Sequence, residues 1–391
     1  MLFGPIRRWE TVCDENGTTK IVMEICADAF RMCHSMYLII FFALSIFVTV
    51  EFAETDFNDN PVINRFGNNS ICVMLDDPPF ALFGSTLWFP ATMLWLSFEI
   101  FHFIQVYDHY HDENAQYPIT RGFFIYYKIS TVLESLSTIV FAQIFATSPT
   151  EYIYMHTWPY FAWIVFGLWA IILKRFLYYW KLHELPWYVF VWVGMCGISA
   201  IIFLMLFIPN LHGAKLWETY PWTGTLGGIN NRIFFILFLF GPPIIYGFFD
   251  VKSDTVVVTL KRSPRLKEDS TNTPNARGLM RRLFQPISGW ESVSNQVGKD
   301  VTTTFKLQPE AFRMCFYVYI VIFFALASFV TLVWGDIDLD DNVMVRRFGY
   351  SAFSIMFSDP PFSLFASTLW FPATILLLSF EVLRCSLTAQ P

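Results

Sequence analysis

Charge is what this chain has least of. Of its 391 residues only 15% are Asp, Glu, Lys or Arg, while 55% are hydrophobic and 44 are Phe. That balance excludes an ordinary soluble domain. Cysteine is sparse as well. Seven are present, none in a paired spacing that would ligate a metal or predict a disulfide framework, so no metal and no cofactor is expected. The chain has no P-loop, serine-nucleophile elbow, HExxH or Gly-rich dinucleotide motif. A cleavable signal peptide is not expected either, because the first 35 residues hold Arg7, Arg8, Asp14, Glu15, Lys20, Glu24 and Asp28 without an apolar core.

What is present is apolar sequence in blocks of roughly 20 residues, the length that crosses about 30 Å of hydrocarbon. Solid runs rather than ~10-residue alternating segments exclude a barrel. The expected fold is therefore all-α, a multi-pass transmembrane helical bundle of about eight spans.

One stretch occurs twice. Phe30–Ile100 aligns with Phe312–Val382 at a constant offset of 282, with 39 of 71 positions identical, which marks a tandem duplication. Each copy is an apolar run, an acidic loop ending in Asp-Pro-Pro-Phe, and a second run carrying one glutamate, Glu99 or Glu381. The expected organisation is a cytosolic N-terminal arm (1–35), a six-span bundle (36–250), a mostly disordered cytosolic linker (251–311) and a truncated repeat of the first hairpin (312–391).

Basic residues set the orientation. Arg7, Arg8, Lys20 and Arg31 lie in the arm, Lys174, Arg175 and Lys181 follow span four, and eleven Lys or Arg lie between Lys252 and Arg313. The other side has Arg65, Lys215, Arg232, Arg346 and Arg347. Both termini are expected in the cytosol, with the acidic loops luminal or outside. On that side Asn68 opens an Asn-x-Ser/Thr sequon and is expected to carry a glycan.

Charges within spans are the main functional pointers, since each costs several kcal/mol if unpaired at mid-membrane. Glu99 and Lys128 fall at similar depth on neighbouring helices and are expected to form an ion pair. Glu381 has no third span after it and must use Arg384, borrow a partner or take a proton. Glu134 lies mid-span beside Ser130, Thr131, Ser135 and Ser137, as a headgroup or proton site or as a hydrogen-bonded neutral acid. His156, with Asp76, Asp77 and Asp359 on the same side, is a candidate acid or base on a phospholipid ester, or else part of an aromatic belt with Tyr152, Tyr154 and Trp158. The DHYHDEN turn (Asp108–Asn114) reads as a solvated loop rather than a metal site.

Residues 36 to about 262 resemble the family shared by the damage-regulated autophagy modulators, the Golgi post-GPI-attachment factor and the membrane domain of the cell-wall GPI-remodelling protein (Frag/DRAM/Sfk). Pro78 and Pro79, Glu134, His156 and the segment YGFFDVKSDTVVVTLKR with its Phe249–Asp250 step carry the resemblance. Thr157, Asn231 and Arg232 depart from it, standing where the family commonly has acidic residues or opens its last span. The resemblance implies a six-span bundle with cytosolic termini in the Golgi or ER, acting on or aiding lipid remodelling of GPI-anchored proteins. Its partners would be membrane lipids and GPI-anchored proteins, with no nucleic acid. The alternative is a non-enzymatic lysosomal or plasma-membrane modulator of autophagy. A receptor or transporter is the third class, opposed by the even span parity and by a repeat that keeps one orientation.

Overall fold

A computed structural model describes residues 5–13, 19–53, 60–68, 71–76, 79–111, 118–147, 149, 152–182, 185–248, 255–262, 285, 287–294, 301–334 and 362–388. The chain is a multi-pass helical bundle. Seven of its described helices are long and apolar enough to cross a membrane. It divides into two compact units.

The first unit takes in residues 27–253. In order it contains α1 (Ala27–Phe52), α2 (Pro61–Phe66), a 3-10 turn at Ile71–Leu75, α3 (Phe80–His111) and α4 (Arg121–Val140). Span four is composite: α5 (Ile153–Ala162), a π-helical turn at Trp163–Trp169, and α6 (Ala170–Leu182). Then come α7 (Trp187–Leu211), the single turn α8 (Leu216–Thr219) and α9 (Pro221–Phe248).

The short elements between the first two spans are specified locally. Asn60 caps α2 by accepting from the amides of Val62 and Ile63, Pro61 fixes the first helical φ, and Gly67 ends the helix at φ +70°. Expectation and structure part at 209–231, where Gly and Trp suggest a loop. Most of that stretch is α8 and the first turns of α9. Its glycines serve close packing instead: a Cβ at Gly224 would stand 2.5 Å from the carbonyl oxygen of Gly67.

The core of this unit is aromatic. Trp88 is fully buried and donates from Nε1 to the carbonyl of Thr138 at 2.9 Å. Around it stand Phe41, Phe141 and Trp163, with ring centroids 5.4, 4.1 and 5.4 Å away.

The second unit joins residues 6–26 to residues 254–391. It corrects two expectations. The arm is not merely an amphipathic tail, and part of the linker is ordered, because together they form a five-stranded sheet. Its strands are β1 (Ile6–Cys13), β2 (Thr19–Cys26), β3 (Thr255–Arg262), β4 (Ile287–Ser294) and β5 (Val301–Leu307), in the order β1-β2-β3-β5-β4. Two hairpins, β1–β2 and β4–β5, are local, and what joins them into one sheet is the pairing of β2 with β3, more than 200 residues away, which no local window shows. Strand alternation puts Ile21, Met23 and Ile25 of β2 and Val256 and Val258 of β3 on one buried face, in matching register.

The sheet also lengthens the repeat. IRRWETV in β1 corresponds to ISGWESV in β4. Each opens an antiparallel hairpin with the next strand, and each carries a register irregularity at the same place, Ile6/Arg8 and Ile287/Gly289. Among the described residues the second copy shows no strand equivalent to β3. Its β5 pairs parallel with β3, whose other edge pairs antiparallel with β2.

Helices α10 (Pro309–Trp334) and α11 (Ser363–Thr388) complete this unit. They reproduce characteristic contacts of the α1–α3 hairpin. The Tyr37 hydroxyl donates to the carbonyl of Leu87, and Tyr319 to that of Leu369. Phe41 meets Phe80 at 5.3 Å, and Phe323 meets Phe362 at 5.4 Å.

Candidate functional site

Three arrangements in the first unit bear on function. The first is a core of buried charge. On α4 the residues Tyr127, Ser130, Glu134, Ser137 and Thr138 recur at helical spacing and form the buried stripe. Glu134 is wholly buried there and accepts from the Ser130 hydroxyl at 2.8 Å. From α6, Lys174 reaches the Glu134 carboxylate at 2.6 Å, Glu99 of α3 at 2.7 Å and the Thr131 hydroxyl at 3.0 Å. All three N–H donors of the ammonium are thereby engaged. The ammonium also lies 4.5 Å over the Tyr127 ring. Arg175 stands 4.0 Å from Glu99 and 3.5 Å over the ring of Phe98, so these two carboxylates meet two cations. The Tyr127 hydroxyl and Nδ1 of His102 share a hydrogen bond beside them.

This overturns the expected Glu99–Lys128 pair. Lys128 is exposed. At 100° per residue it stands well off the stripe that joins Tyr127 to Glu134, seven positions on. The partner, Lys174, looks from sequence like a flank closing span four, but α6 continues to Leu182 and keeps both Lys174 and Arg175 inside. The α4 stripe was readable beforehand, and it would have removed Lys128. Nothing local would have named Lys174, which is 40 residues from Glu134 and 75 from Glu99. Gly167 lets span four approach α4 closely: a Cβ there would lie 3.1 Å from Ser137 Oγ.

The second arrangement is a clasp at the opposite end of the bundle, which carries α2. His156 of α5 places Nε2 2.8 Å from Asp76 and Nδ1 2.9 Å from the carbonyl of Thr147. Both side chains of the ion pair are fully buried. With both ring nitrogens engaged, the imidazole ties the segment after the 3-10 turn to the start of span four and has no nitrogen left for a substrate. Asp77, Asp359 and Asp250 lie outside the described residues. So does the second half of the DHYHDEN turn, whose first half, Asp108–His111, ends α3. Glu381 uses the partner nearest in sequence, Arg384, at 3.9 Å, and both are about half exposed.

The third is a pocket beside the clasp, about 480 Å³ including its mouth. Phe66, Phe203, Leu206 and Phe207 form an apolar wall. Phe207 stacks on Phe66 at 4.8 Å, Phe203 at 4.9 Å and Phe161 at 5.2 Å. Facing them are Thr157, Tyr160, Asn210, Asn230 and Asn231. Asn231 donates to the Tyr160 hydroxyl at 2.9 Å, and Asn230 exchanges two hydrogen bonds with Ser199. Sequence reading passed over these amides except to note Asn231 as a departure.

Asn68 lines the same pocket. Its Nδ2 donates to the carbonyl of Phe66 at 3.0 Å and lies against α9, 2.9 Å from where a Cβ on Gly227 would be. That nitrogen is the atom a glycan would occupy, and in the fold it is turned toward α9. Endoglycosidase treatment of the full-length protein is expected to leave its mobility unchanged, as is Asn68→Gln; a shift on treatment that Asn68→Gln abolishes would contradict this placement.

No family model, no curated protein and no solved structure matches this chain.

Proposed function

We propose that the chain is an integral membrane protein of the Golgi or ER that holds a lipid and so aids lipid remodelling of GPI-anchored proteins. The observation that carries the reading is the pocket. An aromatic wall faces a row of amides and hydroxyls, at the end of the bundle where the acidic loop is expected to meet the lumen. A holding role is favoured over acid–base chemistry because Glu134 and His156 are both committed to buried ion pairs. The resemblance to the GPI-remodelling branch supplies the process, and the pocket supplies a place for the lipid.

Cells lacking the gene are expected to release GPI-anchored proteins from their surface. Re-expression of the intact chain or of Lys128→Ala restores surface display, whereas Asn231→Leu, which removes an amide from the pocket, does not. Normal display in the deleted cells together with altered autophagic flux would overturn the reading in favour of the lysosomal or plasma-membrane modulator.

A further inference from the structure

We infer that the pocket between α5, α7 and α9 takes an uncharged amphiphile: an acyl chain bearing a hydroxyl or ester head of the diacylglycerol kind. The inference rests on the lipid-holding reading of the same pocket and names the class of lipid.

None of the described lining residues is an Asp, Glu, Lys, Arg or His. A phosphate or free carboxylate placed there would lose its hydration and meet no counter-charge, at a cost of several kcal/mol. The buried ion pairs of this unit lie elsewhere, with Lys174 between two carboxylates and Asp76 facing His156. An uncharged head is different. The Tyr160 hydroxyl accepts from Asn231 and keeps its own proton to donate. Asn231 has a second amide hydrogen, and Asn210 uses its oxygen for the amide of Leu216, leaving its nitrogen as a donor. Those donors suit the carbonyl of an ester or the oxygen of an alcohol.

Shape agrees with chemistry. The rings of Phe66, Phe203 and Phe207 stack into one continuous apolar wall. Gly227 and Gly228 keep α9 thin where the Asn68 side chain lies against it.

Diacylglycerol could enter free, or as the glycerolipid portion of a larger lipid with its head outside. The test is photo-crosslinking of the purified full-length chain with clickable diazirine probes of diacylglycerol, phosphatidylcholine and a fatty acid. Diacylglycerol is expected to label the Phe203–Asn210 segment and to be displaced by its unlabelled form. Equal labelling by the phosphatidylcholine probe would show that the glycerolipid body is read with the head outside, and the shared chemistry would stand. Tyr160→Phe keeps the ring and removes the proton, and should lower diacylglycerol labelling by roughly 10-fold, the loss of about one hydrogen bond. Fatty-acid labelling as strong as diacylglycerol, or labelling unchanged in Tyr160→Phe and Asn231→Leu, overturns the inference. Because the readout is binding to isolated protein, that result with an intact cellular rescue pattern would reject the ligand class while leaving the proposed function in place.

Discussion

Lys174→Met is expected to be the most damaging single substitution in the first unit. It leaves Glu99 and Glu134 buried without the ammonium that bridges them at 2.7 and 2.6 Å. Breaking a buried pair by removing one partner costs about 3–5 kcal/mol, because the other charge stays behind. Here two carboxylates are left, with Arg175 4.0 Å from one of them. Fluorescence-detected size exclusion after a thermal ramp should show the variant lost as a monodisperse species at temperatures the parent survives. Lys128→Met, whose side chain is exposed, should behave like the parent. Adding Glu99→Gln and Glu134→Gln to Lys174→Met removes the stranded charge and should recover most of the loss. A stable single variant, or damage from Lys128→Met instead, would show that the charge core is wrongly assigned.

The duplication supplies its own control for the second large effect. Trp88→Ala removes a fully buried indole from the middle of the aromatic core, together with its hydrogen bond to Thr138. The cost should be about 3–5 kcal/mol, the usual range for Phe or Trp to Ala in a core. The dispersion contacts that this term measures also hold helices together in a bilayer, where burial from water no longer drives association. Trp370 occupies the same position in the second copy and keeps the contact to the equivalent phenylalanine, Phe323, at 5.3 Å, yet is 44% exposed. Trp370→Ala should therefore cost under about 1 kcal/mol by the same measure. Equal losses in the two variants would mean that the second indole is as deeply packed as the first.

That contrast marks where sequence reading stops. The bundle was legible because crossing hydrocarbon imposes a length and a composition on each helix, and both show in any 20-residue window. The hairpin repeat was legible because identity at constant offset needs no structure, and of the three options open to Glu381 the structure shows the one a single helical turn offers, Arg384. The sheet was not: the segment that becomes β3 has a strand-like sequence, but its partner β2 lies more than 200 residues away along the chain. Nor was the role of the glycines in α9, which look like loop residues until Gly67 and Asn68 are seen against them.

The sequence by itself determined that this is a multi-pass membrane protein, that its first hairpin is duplicated, and that Glu99 needs a compensating charge, while Glu134 stood as a headgroup or proton site or a hydrogen-bonded neutral acid. Tertiary structure alone decided that the compensation comes from Lys174 and not Lys128, and that His156 is spent on Asp76. It also decided that the amides of α7 and α9 meet an aromatic wall around a pocket. The physical reason is the same in each case. A helix fixes which face a residue occupies, but which other face it meets is settled only when distant spans pack.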